Sequence, residues 1–152
     1  MDTIIRETLR PFGITRNYRG YPQTVRAIAL VLEDESRLLN VTEEIYEVVA
    51  LQTRCHPSNV ERNIRTVVLC AWHTNRPLLV KMAGFTLTAP PRASQFIDII
   101  ASYIQRKSQN QQNDSDKNFE RLCKVAGLDP DELLKLHRQD DFETRNQLAN
   151  RA

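Results

Sequence analysis

Apolar residues recur along this chain at spacings of three and four, and the elements that spacing predicts are helices almost throughout. No two adjacent runs alternate with period 2 around a hairpin dipeptide, so strands are not expected. A short first helix covers about Thr3 to Arg10 and is ended by Pro11 and Gly13. Pro22 suits the first position of a second helix reaching about Glu33, with Val25, Ile28, Ala29 and Leu32 on one face. Thr42 is the expected N-cap of a third, running to about Thr53 with Ile45, Val48 and Val49 inward. Pro57 opens a fourth to about His73, Pro77 a fifth that stops at Gly84, and Arg92 or Ser94 a sixth through Ile104.

Beyond these, Lys107 to Ser115 is a polar tract without an apolar residue, which reads as a flexible linker. Two further short helices are expected over Asp116–Ala126 and Pro130–Arg138, with Asp129 as N-cap of the second. The fold class is therefore all-α. The expected organisation is a domain over 1–106, a linker over 107–115 and a helical hairpin extension over 116–152.

Thr42 to Trp72 holds the segment with the most chemistry. Two helices are joined there by Arg54-Cys55-His56, the length of connection a helix-turn-helix uses. On the second, Val60, Ile64, Val67, Val68 and Ala71 form one apolar stripe. The opposite face carries Asn59, Arg62, Asn63 and Thr66, flanked by Ser58 and Arg65. Arg62 can contact guanine O6 and N7 with both arms of its fork, and Asn59 can do the same with adenine N6 and N7. Ser58, Arg65 and the free N–H groups at the helix start suit phosphate oxygens, which fix register without reading sequence. Glu61 could accept from cytosine N4, but a carboxylate facing DNA is otherwise unfavourable. Periodicity alone favours a core helix whose polar face is merely solvated, since most such helices bind no nucleic acid.

Charge sharpens this picture a little. Residues 1–109 hold 14 Lys+Arg against 10 Asp+Glu, and 12 of those cations are Arg, whose planar fork matches phosphates and guanine edges. Residues 110–152 hold 7 against 9. Cys55, Cys70 and Cys123 are far apart and never form CxxC, so neither a disulfide framework nor a zinc site is signalled. His56, His73 and His137 are scattered, with no nucleophile elbow or phosphate-cradling Gly loop, so no enzyme, metal or cofactor is expected. The N-terminal residues lack the pattern of a signal peptide, and no stretch approaches the roughly 20 apolar residues a membrane span needs. A cytoplasmic protein with no membrane association is expected.

Over roughly residues 1–105 the chain resembles the C-terminal DNA-binding effector domain of the stage-zero sporulation response regulator family. The matching stretches are Gly13-Ile14, Arg19-Gly20-Tyr21, Ala27-Ile28, Leu38-Leu39, Val41-Thr42, Ile45-Tyr46 and Val49-Ala50. They continue as Ser58-x-Val60-Glu61-Arg62-x-Ile64-Arg65, Ala71-Trp72, Gly84-Phe85-Thr86 and Ser94-x-Phe96-Ile97, with one apparent insertion around Glu35-Ser36.

The resemblance implies a six-helix, trilobed domain whose third and fourth helices form a helix-turn-helix that reads GNCGAA-type promoter boxes. Ser58, Glu61, Arg62 and Arg65 match the family's DNA-facing residues, whereas Asn59 stands where the family usually has Arg and Thr66 where it has His. Asn prefers adenine and Arg guanine, so a related but altered box is expected. The family's N-terminal receiver domain and its phosphorylated Asp are not expected here, since the effector-like region begins at residue 1.

The tail also mimics a helix-turn-helix, but Asp129, Asp131 and Glu132 would face phosphates, which argues against DNA contact. Its two short helices cannot bury Phe119, Leu122, Val125, Leu128, Leu133, Leu134 and Leu136 alone. Self-association through 116–138, docking on the main domain, and a partner protein remain open. The expected partners are promoter DNA, a second copy of the chain, and RNA polymerase or the full-length regulator. The competing function is an antagonist that binds or competes with that regulator; a mobility shift separates it from a DNA reader.

Overall fold

The structure, a computed structural model, describes residues 1–132, 134 and 135. Among them the backbone is helical with no strand, as the periodicity predicts. Residues fall into two compact units, Met1–Lys107 and Ser108–Ala152.

Helix α1 (Asp2–Leu9) runs into a 3₁₀ turn (Arg10–Phe12) that Gly13 closes at φ 69°. Pro11 supplies the fixed φ that starts this turn. Helix α2 (Gly20–Glu33) is the most enclosed element, with ten of its fourteen residues buried. It ends at Asp34, whose carboxylate accepts from the Ser36 N–H at 3.0 Å and opens a 3₁₀ turn over Glu35–Asn40. The apparent insertion lies in this turn.

The third predicted helix is divided. Thr42–Tyr46 forms a single π-helical turn and only Glu47–Thr53 (α3) is α-helical. Thr42 is not its N-cap: Val41 already has helical φ/ψ and no side chain caps the turn. Neighbouring side chains hold the turn in another way, by donating to its acceptor groups. The Arg37 guanidinium donates to the Glu44 carbonyl at 3.2 Å, and Asn40 Nδ2 donates to Glu43 Oε2 at 2.8 Å.

Helix α4 (Pro57–Ala83) joins the fourth and fifth predicted helices across a break at Asn75, where φ is −150° and ψ 64°. Pro77 accounts for the break: in an unbroken helix its ring would clash with the carbonyl four residues earlier, at His73, and it has no N–H to donate there. Asn75 Oδ1 recaps the second segment by accepting from the Leu78 N–H at 3.3 Å. Gly84 ends α4 at φ 76°, a left-handed cap that suits glycine. Arg106 adds a donor to the Met82 carbonyl at 2.6 Å there.

Helix α5 (Ala93–Ala126) corrects the expected linker, since 107–115 lie inside it. That tract lacks Gly and Pro. A helix already nucleated and anchored by packed Phe96, Ile97, Ile100 and Ile104 can extend residue by residue through Lys, Ser, Gln and Asn without a second nucleation cost. Gln112 Nε2 also bonds Asp116 Oδ1 one turn on, at 3.1 Å. After Gly127, Asp129 Oδ1 accepts from the Asp131 N–H at 3.1 Å, so the predicted N-cap forms. Residues 130–132, 134 and 135 are helical; Leu133 and the end of the predicted helix at 136–138 lie outside the described residues.

The first unit's core gathers Ile5, Leu9, Phe12, Ile28, Val31, Ile45 and Val49 with the apolar stripe of α4. Phe12 and Phe96 meet edge to face at 6.4 Å between ring centres, which ties α5 to the turn after α1. α4 packs against α2, α3 and the Arg10–Phe12 turn. Its first four turns are thereby held from the inside and open on the outside.

Candidate nucleic-acid interface

The connection between α3 and α4 is built from three residues, Arg54, Cys55 and His56. Arg54 is left-handed, at φ 52° and ψ 49°, and reverses the chain. The Cys55 N–H then donates to the Ala50 carbonyl at 3.0 Å, which satisfies the end of α3. His56 is extended and caps α4: its Nδ1 accepts from the Ser58 N–H at 3.3 Å and meets Ser58 Oγ at 2.7 Å. This capping role escapes a sequence reading, because His is seldom an N-cap.

Gln23 on α2 fixes the angle of this arrangement. Only 5% exposed, it donates through Nε2 to Cys55 Sγ at 3.2 Å and Thr53 Oγ1 at 3.4 Å. Its Oε1 accepts from Asn63 Nδ2 at 3.0 Å. One amide thus joins α2, the turn and α4. One turn earlier Gly20 lies directly under α4; a Cβ there would stand 2.4 Å from the Asn63 carbonyl oxygen. Only glycine allows that approach.

With α4 held so, its two faces separate cleanly. Val60, Ile64, Val67 and Ala71 are 0% exposed and Val68 1%. Ser58, Asn59, Arg62, Arg65 and Thr66 are all exposed, on successive turns of the opposite face. Asn63, which the sequence places in the polar set, turns to the edge and is spent on Gln23.

Glu61 is half-buried and lies at the other edge. It accepts from Arg65 Nη2 at 2.6 Å and from Arg65 Nε at 3.2 Å, a fork-shaped pair one turn apart. That bond raises the Arg65 pKa above its usual value. The carboxylate whose presence on this face needed a reason therefore has a partner within its own helix. The Tyr46 hydroxyl lies nearby, and its pKa is pushed up to about 12, chiefly by burial and then by the Glu61 charge. Arg62 has no ion-pair partner among the described residues, where the salt bridges are Arg37–Glu44 and Arg65–Glu61.

The family model for the sporulation initiation factor Spo0A C-terminal domain matches residues 5–104. The chain belongs to that family. The match covers most of the first unit, ends at Ile104 within the first part of α5, and includes α3, the turn and α4. The family is that of a DNA-binding domain of a transcription factor, not of an enzyme. The split of α4 into a packed stripe and a solvent-facing polar row is the division such a domain needs. Among the described residues no cluster of metal-ligating side chains occurs, and no helix is long and apolar enough to cross a membrane.

Proposed function

We propose that the chain is a sequence-specific transcription regulator, with α3, the Arg54–His56 turn and the first four turns of α4 working as a helix-turn-helix. The observation that carries this reading is the exposed row Ser58, Asn59, Arg62, Arg65 and Thr66 on a helix whose other side is fully packed. Such a helix can enter the major groove, about 12 Å wide, without uncovering core.

Roles follow from the partners each residue has or lacks. Arg62, in no ion pair among the described residues, is the base reader for guanine. Asn59 sits on the first turn, where base edges come closest, and suits adenine. Arg65, held straight by Glu61, presents its remaining donors to a phosphate; Ser58 and the first N–H groups of α4 do likewise. Thr66 reaches the groove at the far end of the row. The target is a GNCGAA-like box changed where Asn59 and Thr66 replace the family's usual Arg and His. The protein acts on the nucleoid in the cytoplasm.

Pairing of two copies on tandem boxes is part of the same proposal. In the second unit Leu122, Val125, Leu128 and Leu134 are 66%, 83%, 43% and 50% exposed, a face suited to a second copy. Two linked reading helices would gain affinity through effective concentration.

Selection from a pool of random duplexes tests the reading. Recovery of a GNCGAA-like box with a substitution at one or two positions supports it. Recovery of no consensus refutes sequence-specific reading, and an unchanged family box refutes the altered target.

A further inference from the structure

Arginines outside the reading row form a second basic surface. Arg6, Arg10, Arg16, Arg19 and Arg26 are all exposed, and none is ion-paired among the described residues, although Asp2 and Glu7 lie among them. Arg26 Nε donates to the neutral Gln52 amide at 2.6 Å.

Their placement ties this surface to α4. Arg19, Gln23 and Arg26 fall at i, i+4 and i+7, along one face of α2. The middle member is the amide bonded to Asn63, Thr53 and Cys55. Arg19 directly precedes the glycine that touches the Asn63 carbonyl, so it stands at the flank of α4. Arg26 stands about 10 Å further along α2, at the 1.5 Å rise of a helix. A groove of about 550 Å³ then carries the charge onward, lined by Arg6, Arg16 and Arg26 against the single acid Asp2, beside Gln52 and Thr53. Arg10 lines an adjoining groove that shares Arg6 and Arg16.

We propose that Arg19, Arg26, Arg16 and Arg6 form a phosphate track continuous with the reading helix, so that the protein grips duplex backbone beyond the bases α4 reads. The inference rests on the helix-turn-helix reading above. Arginine forks match phosphate oxygens in shape as well as charge. A duplex presents one negative charge per roughly 1.7 Å of axis, so a strip of this length meets several phosphates. An acidic protein segment is disfavoured by continuity: the strip begins where the DNA-facing helix is bolted to α2.

The test uses the full chain carrying Arg6→Gln, Arg16→Gln and Arg26→Gln together, all exposed positions outside the core. Binding is followed across a salt series on two duplexes, the box alone and the box with about ten flanking base pairs on each side. On the flanked duplex the triple variant should lose at least tenfold in affinity and flatten the salt slope by about 2–3, at ~0.9 per phosphate. On the box alone its affinity and base preference should stay within about twofold of the parent.

An unchanged slope on the flanked duplex overturns the track, and so does an equal loss on both duplexes. Poly-glutamate that binds the parent as tightly as flanked duplex, and the triple variant far less, would assign the groove to acidic protein and overturn it too. Loss of base preference in Arg62→Ala with an unchanged triple variant leaves the reading helix standing and removes only this inference. A parent that binds neither duplex removes both.

Discussion

Replacing Gly20 with Ala introduces one methyl group at the point where α2 supports the outward-facing helix. The new Cβ would lie 2.4 Å from the Asn63 carbonyl oxygen, 2.8 Å from its carbonyl carbon and 2.9 Å from Val67 Cγ2. The first two are backbone atoms and cannot swing aside as a side-chain tip would. Ordinary contact begins near 3.4 Å, so the helices must separate by about 3.4 − 2.4 = 1.0 Å. Forcing an extra methyl into a packed contact costs roughly 1–3 kcal/mol. Better helix propensity returns under ~1 kcal/mol, less at a first helical position than in the interior.

A net loss of about 1–2 kcal/mol should lower the melting temperature by at least ~4 °C for a domain of this size. The same shift should cost more in DNA binding than in folding. Base contacts tolerate only a few tenths of an ångström in donor–acceptor distance, and a bidentate pair carries about 1–3 kcal/mol of discrimination. Thermal melting beside titration of a box duplex reads both effects. A variant as stable as the parent, or one that binds the box unchanged, would refute the view that Gly20 sets the seat of α4.

Other perturbations separate the remaining parts. Gln23→Ala strands the Asn63 amide and removes bonds to Thr53 and Cys55; denaturant unfolding should show a loss of about 2–3 kcal/mol. Arg54→Gly relieves a left-handed residue worth ~1–2 kcal/mol, offset by the freer unfolded chain, so a gain of about 0.5–1 kcal/mol is expected on the same assay. Tyr46 has its folded pKa raised to about 12 from 10.0. Its contribution is therefore complete below pH 10 and is lost as pH rises from 10 to 12. Melting temperature should fall across that window, and Tyr46→Phe should make the fall shallower.

The outline of the fold was legible because apolar stripes repeat at helical spacing and prolines stand where helices restart. Pro77 marked the break in α4, and Asp129 the cap of the short helix that follows Gly127. Residues 107–115 misled because polarity alone does not end a helix; without Gly or Pro, the anchored first half of α5 carries through. Thr42 misled because capping depends on backbone geometry, and the chain before it is already helical.

At the site, the row from Ser58 to Thr66 followed from periodicity, and only the resemblance gave it a purpose. Glu61 and Arg65 stand four apart, a spacing that allows their pair, yet the sequence left Glu61 as an acceptor for a base and Arg65 for a phosphate. The inward bond of Asn63 was not readable: it depends on Gln23, forty residues away in sequence. The resemblance gave Gly20 as a matching residue, yet its role as a spacer between helices needs the fold.

On the proposed function, Arg62 and its neighbours on α4 read bases. That reading is tested most directly by binding of parent and Arg62→Ala to the selected box and to a scrambled duplex at one salt concentration. The parent should prefer the box by at least a hundredfold, and Arg62→Ala should lose about ten- to a hundredfold on the box alone. Equal losses on both duplexes, or an Arg62→Ala protein that binds the box like the parent, would contradict it.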